Sequence, residues 1–148
     1  MSVRFREARA ADLPEIVRLL HEDALGRGRE SPGDPGYLAA FEEMRSERFN
    51  RLIVGESGGA VVATYQIVVI PGVSLRAARR AQIEGVRVAR ALRGRGIGGA
   101  LMADAEARAR AAGAVLMQLT TNASRQDAHR FYERHGYAAT HLGFKKPL

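Results

Sequence analysis

A glycine-rich loop at residues 93–99, Arg-Gly-Arg-Gly-Ile-Gly-Gly, places the tightest constraint on how this chain can fold. It follows a strand-like run at 82–88 and precedes an alanine-rich stretch with helical spacing that begins near Gly98. The first N–H groups of a helix have no intrahelical partner, and the helix dipole adds roughly half a positive charge at that end. A strand, a glycine loop and a helix N-terminus in this order predict a site for a phosphate group.

The positive charge of the chain is concentrated in the half that contains this loop. Residues 57–148 carry 14 basic and five acidic side chains, whereas residues 1–56 carry nine basic and 11 acidic ones. Such a field attracts a polyanionic small molecule or a nucleic acid. A nucleic-acid-binding module would interleave aromatic side chains with the arginines, and residues 87–95 contain none. We therefore expect a small-molecule ligand and no nucleic-acid partner.

Length and composition predict a single domain covering residues 1–148, because 46% hydrophobic content is enough for a sizeable core. The chain has no cysteine, which excludes disulfides and thiolate chemistry, and the spacing of its four histidines fits no recognised metal site. No run of about 18 apolar residues is present, and the N-terminus lacks the apolar core of a secretory signal. These observations predict a cytoplasmic protein with no membrane partner.

Hydrophobic periodicity predicts the element order βαα-βββ-αβ-αβ. The predicted helices cover about 13–24, 37–48, 98–112 and 124–135, and the predicted strands cover 3–9, 51–56, 60–69, a region ending at 88, 115–121 and 137–144. Ser57-Gly58-Gly59 is typical of a hairpin turn between two of these strands. The loop at 93–99 thus lies in the middle of one α/β domain.

Two other phosphate ligands can be tested against the residues. Gly94, Gly96 and Gly99 satisfy the G-x-G-x-x-G pattern of dinucleotide-binding folds. That pattern also needs a carboxylate about 20 residues further on, to hold the ribose. No Asp or Glu lies between Glu106 and Asp127, and no Gly-Lys-Ser/Thr of a nucleotide P-loop is present. A turn with a purely structural role remains the alternative on the residues alone.

The arrangement Arg93-x-x-Gly96-x-Gly98 after a Val-x-Val strand resembles the signature of the GNAT superfamily of N-acetyltransferases. A second block at 128–137 is similar to its Ala-x-x-x-Tyr-Glu-x-x-Gly-aromatic pattern, at the usual separation. The resemblance covers the whole domain, although 21–50 match only in being variable. It implies an α/β (α+β) acyl-CoA N-acyltransferase fold, with a mixed, mostly antiparallel central sheet of six to seven strands flanked by helices. Residues 121–148 also look similar to aminoalkylphosphonate N-acetyltransferases, a match confined to the cofactor half.

The resemblance implies that acetyl-CoA (coenzyme A) is the acetyl donor. Backbone amides of 93–99 would hold its pyrophosphate, and the strand before the loop would pair with its pantetheine at a bulge. The residues expected at the cofactor are Val86, Val88, Arg93, Gly94, Arg95, Gly96, Gly98, Gly99, Asn122 and Ala128. A solvated surface role is the alternative for either arginine side chain.

Acetyl transfer to an amine needs a base for the amine and an acid for the departing thiolate. Glu84 is the candidate base, because no other carboxylate lies on its strand or on the loop that follows. Its alternative is a surface ion pair with an arginine. The resemblance implies that Tyr132 is the acid, and the alternative is that this tyrosine serves only in packing. It also implies that the N–H of Val86 or Val88 donates a hydrogen bond to the oxyanion.

The acceptor should be bound partly by the 21–50 region, whose acidic residues, such as Glu22 and Asp23, lie near Arg27 in the sequence. The acids could attract an amine and the arginine an acidic group, or all could be solvated surface charges. We expect a small primary amine such as an aminoalkylphosphonate. The alternatives are a protein or peptide amine as the acceptor, an acyl-CoA-binding regulator without turnover, and a basic nucleic-acid-binding module. Open sheets of this superfamily often support homodimers, although no residue here specifies an interface.

Overall fold

The computed structural model describes residues 1–148, with the side chain of Ala24 excepted. It consists of two compact units, Met1–Gln118 and Leu119–Leu148. The first unit contains five strands: β1 (Arg4–Glu7), β2 (Asn50–Ser57), β3 (Ala60–Ile70), β4 (Arg80–Val88) and β5 (Leu116–Gln118). They form one sheet in the order β1-β2-β3-β4-β5, with β1 to β4 antiparallel and β5 parallel to β4. The mixed, mostly antiparallel α/β fold expected from the sequence is confirmed.

The helices of this unit are α1 (Leu13–His21), α2 (Ala24–Arg27), α3 (Gly36–Ser46), the single turn α4 (Ser74–Ala77) and α5 (Ile97–Ala111). Pro14 lies in the first turn of α1, where its missing N–H costs nothing. Ile16 and Leu19 of α1 pack against Val54 and Val61 of the sheet. No helix within the described residues has the length and apolarity needed to cross a bilayer.

The long helix α5 is fixed to the sheet by a buried polar contact as well as by apolar packing. The hydroxyl of Tyr65, a fully buried residue of β3, donates a hydrogen bond of 2.5 Å to Oδ2 of Asp104. Nε of Arg108 donates to the same oxygen over 2.8 Å. Burial, together with this contact to Asp104, raises the pKa of Tyr65 well above its usual value, so the hydroxyl stays protonated and keeps donating.

The second unit contains one helix, α6 (Gln126–Arg134), and the strand predicted at 137–144 is not formed there. The described sheet therefore has five strands rather than the six to seven expected. The alternation of apolar and polar residues does favour an extended chain, but a strand also needs a neighbouring backbone to complete its ladder. Leu142 and Phe144 are 85% and 90% exposed, so their apolar side chains are not buried by a sheet face.

Candidate active site

A bulge interrupts β4 at the position where the resemblance expects one. Thr64 of β3 pairs with Arg87, whereas Gln66 pairs with Glu84, so two residues of β4, Gly85 and Val86, face Tyr65 alone. Gly85 adopts a φ of +59°, a conformation that side chains with a Cβ disfavour. The bulge begins immediately after Glu84, and it takes Val86 out of the regular ladder of hydrogen bonds between β3 and β4.

Within the described residues, only the first part of the outer edge of β4 is paired with another strand. Its pairing with β5 covers only Arg80 to Gln82, and the strand continues to Val88. Two carbonyls of this later part accept arginine donors: Val86 O from Nη1 of Arg87 at 2.8 Å, and Val88 O from Nε of Arg93 at 3.2 Å. Pantetheine amides would have to use the N–H groups here or displace these arginine contacts.

The glycine loop leads from β4 into α5 through a 3-10 turn at Arg90–Leu92. Gly94 and Gly96 adopt φ values of +76° and +80°, and Gly96 stands immediately before the first residue of α5. The first bond of this helix runs from Ala100 N to Gly96 O over 3.1 Å, so the amides of 97–99 precede it. The glycine loop and the helix N-terminus that the sequence predicts are thus present, and α5 begins one residue before the predicted position.

Glu84 is held by a chain of two amides on one face of the sheet. Nε2 of Gln82 donates to Oε1 of Glu84 over 2.8 Å, and Nε2 of Gln118 donates to Oε1 of Gln82 over 2.8 Å. Residues two apart on a strand share a face, and the β4–β5 register places Gln118 beside Gln82. The ion pair with an arginine, considered above as the alternative for Glu84, does not occur among the described contacts.

The charge of Glu84 fixes the direction of both amides. An ionised carboxylate only accepts hydrogen bonds, so Gln82 must present its NH₂ group to it and its oxygen to Gln118. Gln118 must then present its own NH₂ group. The sequence alone assigned no role to Gln82 or to Gln118.

The remaining predicted residues, Asn122, Ala128 and Tyr132, belong to the second unit, the last two within α6. The ring of Tyr132 lies 5.2 Å from that of Phe131 and 6.0 Å from that of Tyr137, in edge-on arrangements. Oδ1 of Asn122 accepts bonds from both N and Oγ of Ser124, at 3.0 and 2.6 Å. Asn122 therefore shapes the turn that leads into α6, a structural role alongside the cofactor contact predicted for it.

Comparisons with known proteins identify the family of the chain. The sequence model of the acetyltransferase (GNAT) family matches residues 13–137. The aminoalkylphosphonate N-acetyltransferase of Salmonella typhimurium is 49% identical over 67 residues, which cover 45% of this chain and 44% of that protein. The match thus spans less than half the length of this relative.

Two solved structures have the same fold over nearly the whole chain. A transcriptional regulator from Bacillus halodurans C-125 is 41% identical, with a TM-score of 0.95 over 99% of this chain and 100% of that one. The glucosamine-6-phosphate N-acetyltransferase of Arabidopsis thaliana is 19% identical, with a TM-score of 0.80 over 99% of each chain. Together with the family match over most of the chain, these findings show that the chain belongs to the acetyltransferase (GNAT) family.

Proposed function

We propose that residues 1–148 act as one domain that transfers an acetyl group from acetyl-CoA to the primary amine of a small molecule, in the cytoplasm. The observation that carries this proposal is the course of β4. One strand bears Glu84, then the bulge at Gly85 and Val86, and then leads through the glycine loop to the N-terminus of α5. A base, an interrupted backbone edge and an anion site thus follow one another along a single segment.

Coenzyme A fits this segment chemically. Its pyrophosphate needs several N–H donors and positive charge, which 93–99 and the start of α5 offer. Its pantetheine amides need backbone partners, and the later part of β4 extends beyond its pairing with β5. Members of this family use acetyl-CoA in general, and we extend that use to this chain.

The proposed reaction is direct attack of the neutral amine on the thioester carbon. Glu84 accepts the proton that the amine loses, and an N–H of Val86 or Val88 donates to the oxyanion. The C–S bond then breaks, and the coenzyme A thiolate takes a proton from the hydroxyl of Tyr132. The role of Tyr132 rests on its place in the 128–137 block.

An aminoalkylphosphonate is the leading acceptor, because the relative from Salmonella typhimurium carries that name at 49% identity over the matched 67 residues. The matched part covers less than half of either chain, so other small amines stay in the test. Acetylation of a protein or peptide amine is the alternative within the same enzyme class.

The test is an assay of thiol release from acetyl-CoA with matched amines. An aminoalkylphosphonate should be turned over with a higher kcat/KM than the alkylamine or the amino carboxylate of equal carbon chain, and than a lysine peptide. Tyr132→Phe should lower kcat, whereas Tyr137→Phe, which removes a hydroxyl from the same unit, should not. Equal rates for all amines would contradict a phosphonate acceptor, and an unchanged kcat in Tyr132→Phe would contradict its role as the acid.

A regulator that binds an acyl-CoA is a second candidate role, favoured by one observation. The chain from Bacillus halodurans, 41% identical over 99% of this one, is described as a transcriptional regulator. Tight binding of acetyl-CoA without thiol release in the presence of any amine would favour this role over the proposed one.

A further inference from the structure

A cavity of about 370 Å³ lies beside the glycine loop, within the first unit. Its lining combines two acids from the turn between α1 and α2 with three arginines, one from α2 and two from the chain between β4 and α5: Glu22, Asp23, Arg27, Arg90 and Arg93. A lining with both acids and bases could suit a zwitterion. The contacts of the two acids lead to a different conclusion.

Both carboxylate oxygens of Glu22 are engaged by the protein. Oε2 accepts the backbone N–H of Arg90 over 2.8 Å, and Oε1 accepts Nη1 of Arg18 over 3.4 Å. The first bond joins residues 68 positions apart and fixes the start of the turn at Arg90–Leu92. Glu22 thus holds the backbone that leads into the glycine loop.

Asp23 is engaged in the same way. Oδ1 accepts the backbone N–H of Gly26 over 2.6 Å, which caps α2, and Oδ2 lies 2.9 Å from Nε of Arg87 on β4. The side chain of Arg87 is only 8% exposed, so this ion pair is well shielded from solvent. Three of the four acidic oxygens around the cavity therefore accept a hydrogen bond, and the fourth, Oδ2 of Asp23, lies in an ion pair with Arg87.

The binding preference of the cavity therefore depends on its three arginines. Arg27 and Arg90 are exposed, and Arg93 uses its Nε for the carbonyl of Val88. Each guanidinium presents a planar fork of donors that matches phosphate oxygens, and guanidinium groups that share one cavity favour a doubly charged anion. Because the two acids already have contacts within the protein, the three arginines make the cavity suit an anion better than an amine.

We propose that this cavity binds a phosphate-type group, separate from the pyrophosphate at the loop amides, and that in coenzyme A this group is the 3′-phosphate. The inference rests on the proposed donor. Arg93 places the cavity at the Val88 end of β4, and Glu84 lies four residues earlier, a separation of about 13 Å in a regular strand and less across the bulge at Gly85 and Val86. The amine and phosphonate of a short acceptor are only a few bonds apart, so this separation suits the coenzyme, which is longer, better than the acceptor.

The test measures binding without turnover. Coenzyme A and 3′-dephospho-coenzyme A are titrated calorimetrically into the whole protein and into Arg27→Ala, with Arg29→Ala as the control. Arg29 is an exposed neighbour that does not line the cavity. We expect Arg27→Ala to weaken coenzyme A about tenfold, as the loss of one charge-assisted contact does, and to leave dephospho-coenzyme A unchanged. Arg29→Ala should bind both as the unchanged protein does.

A second arm separates the sources of the phosphate-type group. If Arg27→Ala binds both coenzymes as the unchanged protein does but raises KM for an aminoalkylphosphonate and not for the matching alkylamine, the cavity holds the acceptor's phosphonate instead. Equal effects on phosphorylated and non-phosphorylated ligands in both arms would overturn the site. Failure of the proposed donor would look different, because the unchanged protein would then bind neither coenzyme.

Discussion

Nε2 of Gln82 lies 2.8 Å from Oε1 of Glu84, two residues further along β4 on the same face of the sheet. This contact gives the proposed base one fixed orientation, and Gln118 supports Gln82 from β5. An exposed glutamate without such a partner would sample several rotamers, each of which places the carboxylate differently. The geometry therefore makes Gln82 a positioning residue for Glu84.

Gln82→Leu should lower kcat about tenfold with little change in KM for acetyl-CoA, because one hydrogen bond to a charged group is lost. Gln66→Leu is the matched control. Gln66 lies opposite Glu84 on β3 but donates to Oδ1 of Asn50 over 2.8 Å instead. Steady-state kinetics of both variants measure this difference, and an equal loss of kcat in the two would indicate a general effect on the sheet.

Glu84→Gln should lower kcat/KM by about 10² or more, as the loss of a general base usually does. The loss should be greatest at low pH, where the acceptor amine is protonated and must give up its proton before attack. At high pH, where free amine is abundant, the variant should recover part of its rate. A pH–rate profile that moves down by the same factor at all pH values would count against Glu84 as the base.

The glycine loop offers a test that leaves the chemistry untouched. At Gly96, a φ of +80° makes a Cβ unfavourable by about 1–2 kcal/mol, although no heavy atom would lie within 4 Å of it. Gly96→Ala should therefore distort the start of α5 and raise KM for acetyl-CoA about tenfold, with kcat nearly unchanged.

Gly72→Ala is the control for that variant, because a Cβ at Gly72 also meets open space and its φ lies outside the left-handed region. It should leave both kinetic constants unchanged. Equal KM values for the two variants would mean that the conformation of Gly96 does not govern donor binding.

The sequence predicts this loop well because its determinants are local. Glycines where φ is positive, a preceding strand pattern and a helical repeat all lie within one short segment, and the structure differs from the prediction by a single residue at Ile97. The position of Glu84 can be predicted equally well, because its place two residues before Val86 follows from counting along one strand. Alternation alone also puts Gln82 on the same face as Glu84.

Contacts between distant segments could not be predicted in this way. The approach of Gln118 to Gln82 depends on the register of two parallel strands, and the bond from Arg90 to Glu22 depends on how α1 packs. The strand expected at 137–144 illustrates the same point, because an alternating pattern describes one chain and a ladder requires two. Sequence pattern thus located the loop and the candidate base, and tertiary packing decided what supports them.

Tyr65 should contribute measurably to the stability of the first unit. Tyr65→Phe removes the donor to Asp104 while keeping the ring, so the free energy of unfolding should fall by about 1.5–3 kcal/mol, the worth of a hydrogen bond to a charged group. Tyr37→Phe removes a hydroxyl near the surface, bonded to Glu30, and should cost less than about 0.5 kcal/mol. Urea titrations give both values. Equal losses of the free energy of unfolding would show that the buried hydrogen bond of Tyr65 stabilises the protein no more than the surface one of Tyr37.

The pair Arg6–Asp12 predicts how stability responds to acid. Nη1 and Nη2 of Arg6 donate to the two oxygens of Asp12 over 2.7 and 3.0 Å, which, with a bond from the Arg9 amide, lowers the pKa of that carboxyl against the opposing effect of burial. The unfolded chain has the ordinary value of about 3.9. The stabilisation that the Arg6–Asp12 pair contributes is therefore fully present above that pH. It is lost as the pH falls through the lower pKa that Asp12 has in the folded protein.

Asp12→Asn should be less stable than the unchanged protein by about 1 kcal/mol at pH 7, and this difference should shrink as the pH is lowered through 4 towards 2. Glu42→Gln is the control, because Glu42 and Arg45 are 3.5 Å apart and both mostly exposed, so their pair contributes little at any pH. Urea titrations at several pH values measure the two differences. If the Asp12→Asn difference stayed constant or grew on acidification, the bond from Arg6 would not be what lowers the pKa of Asp12.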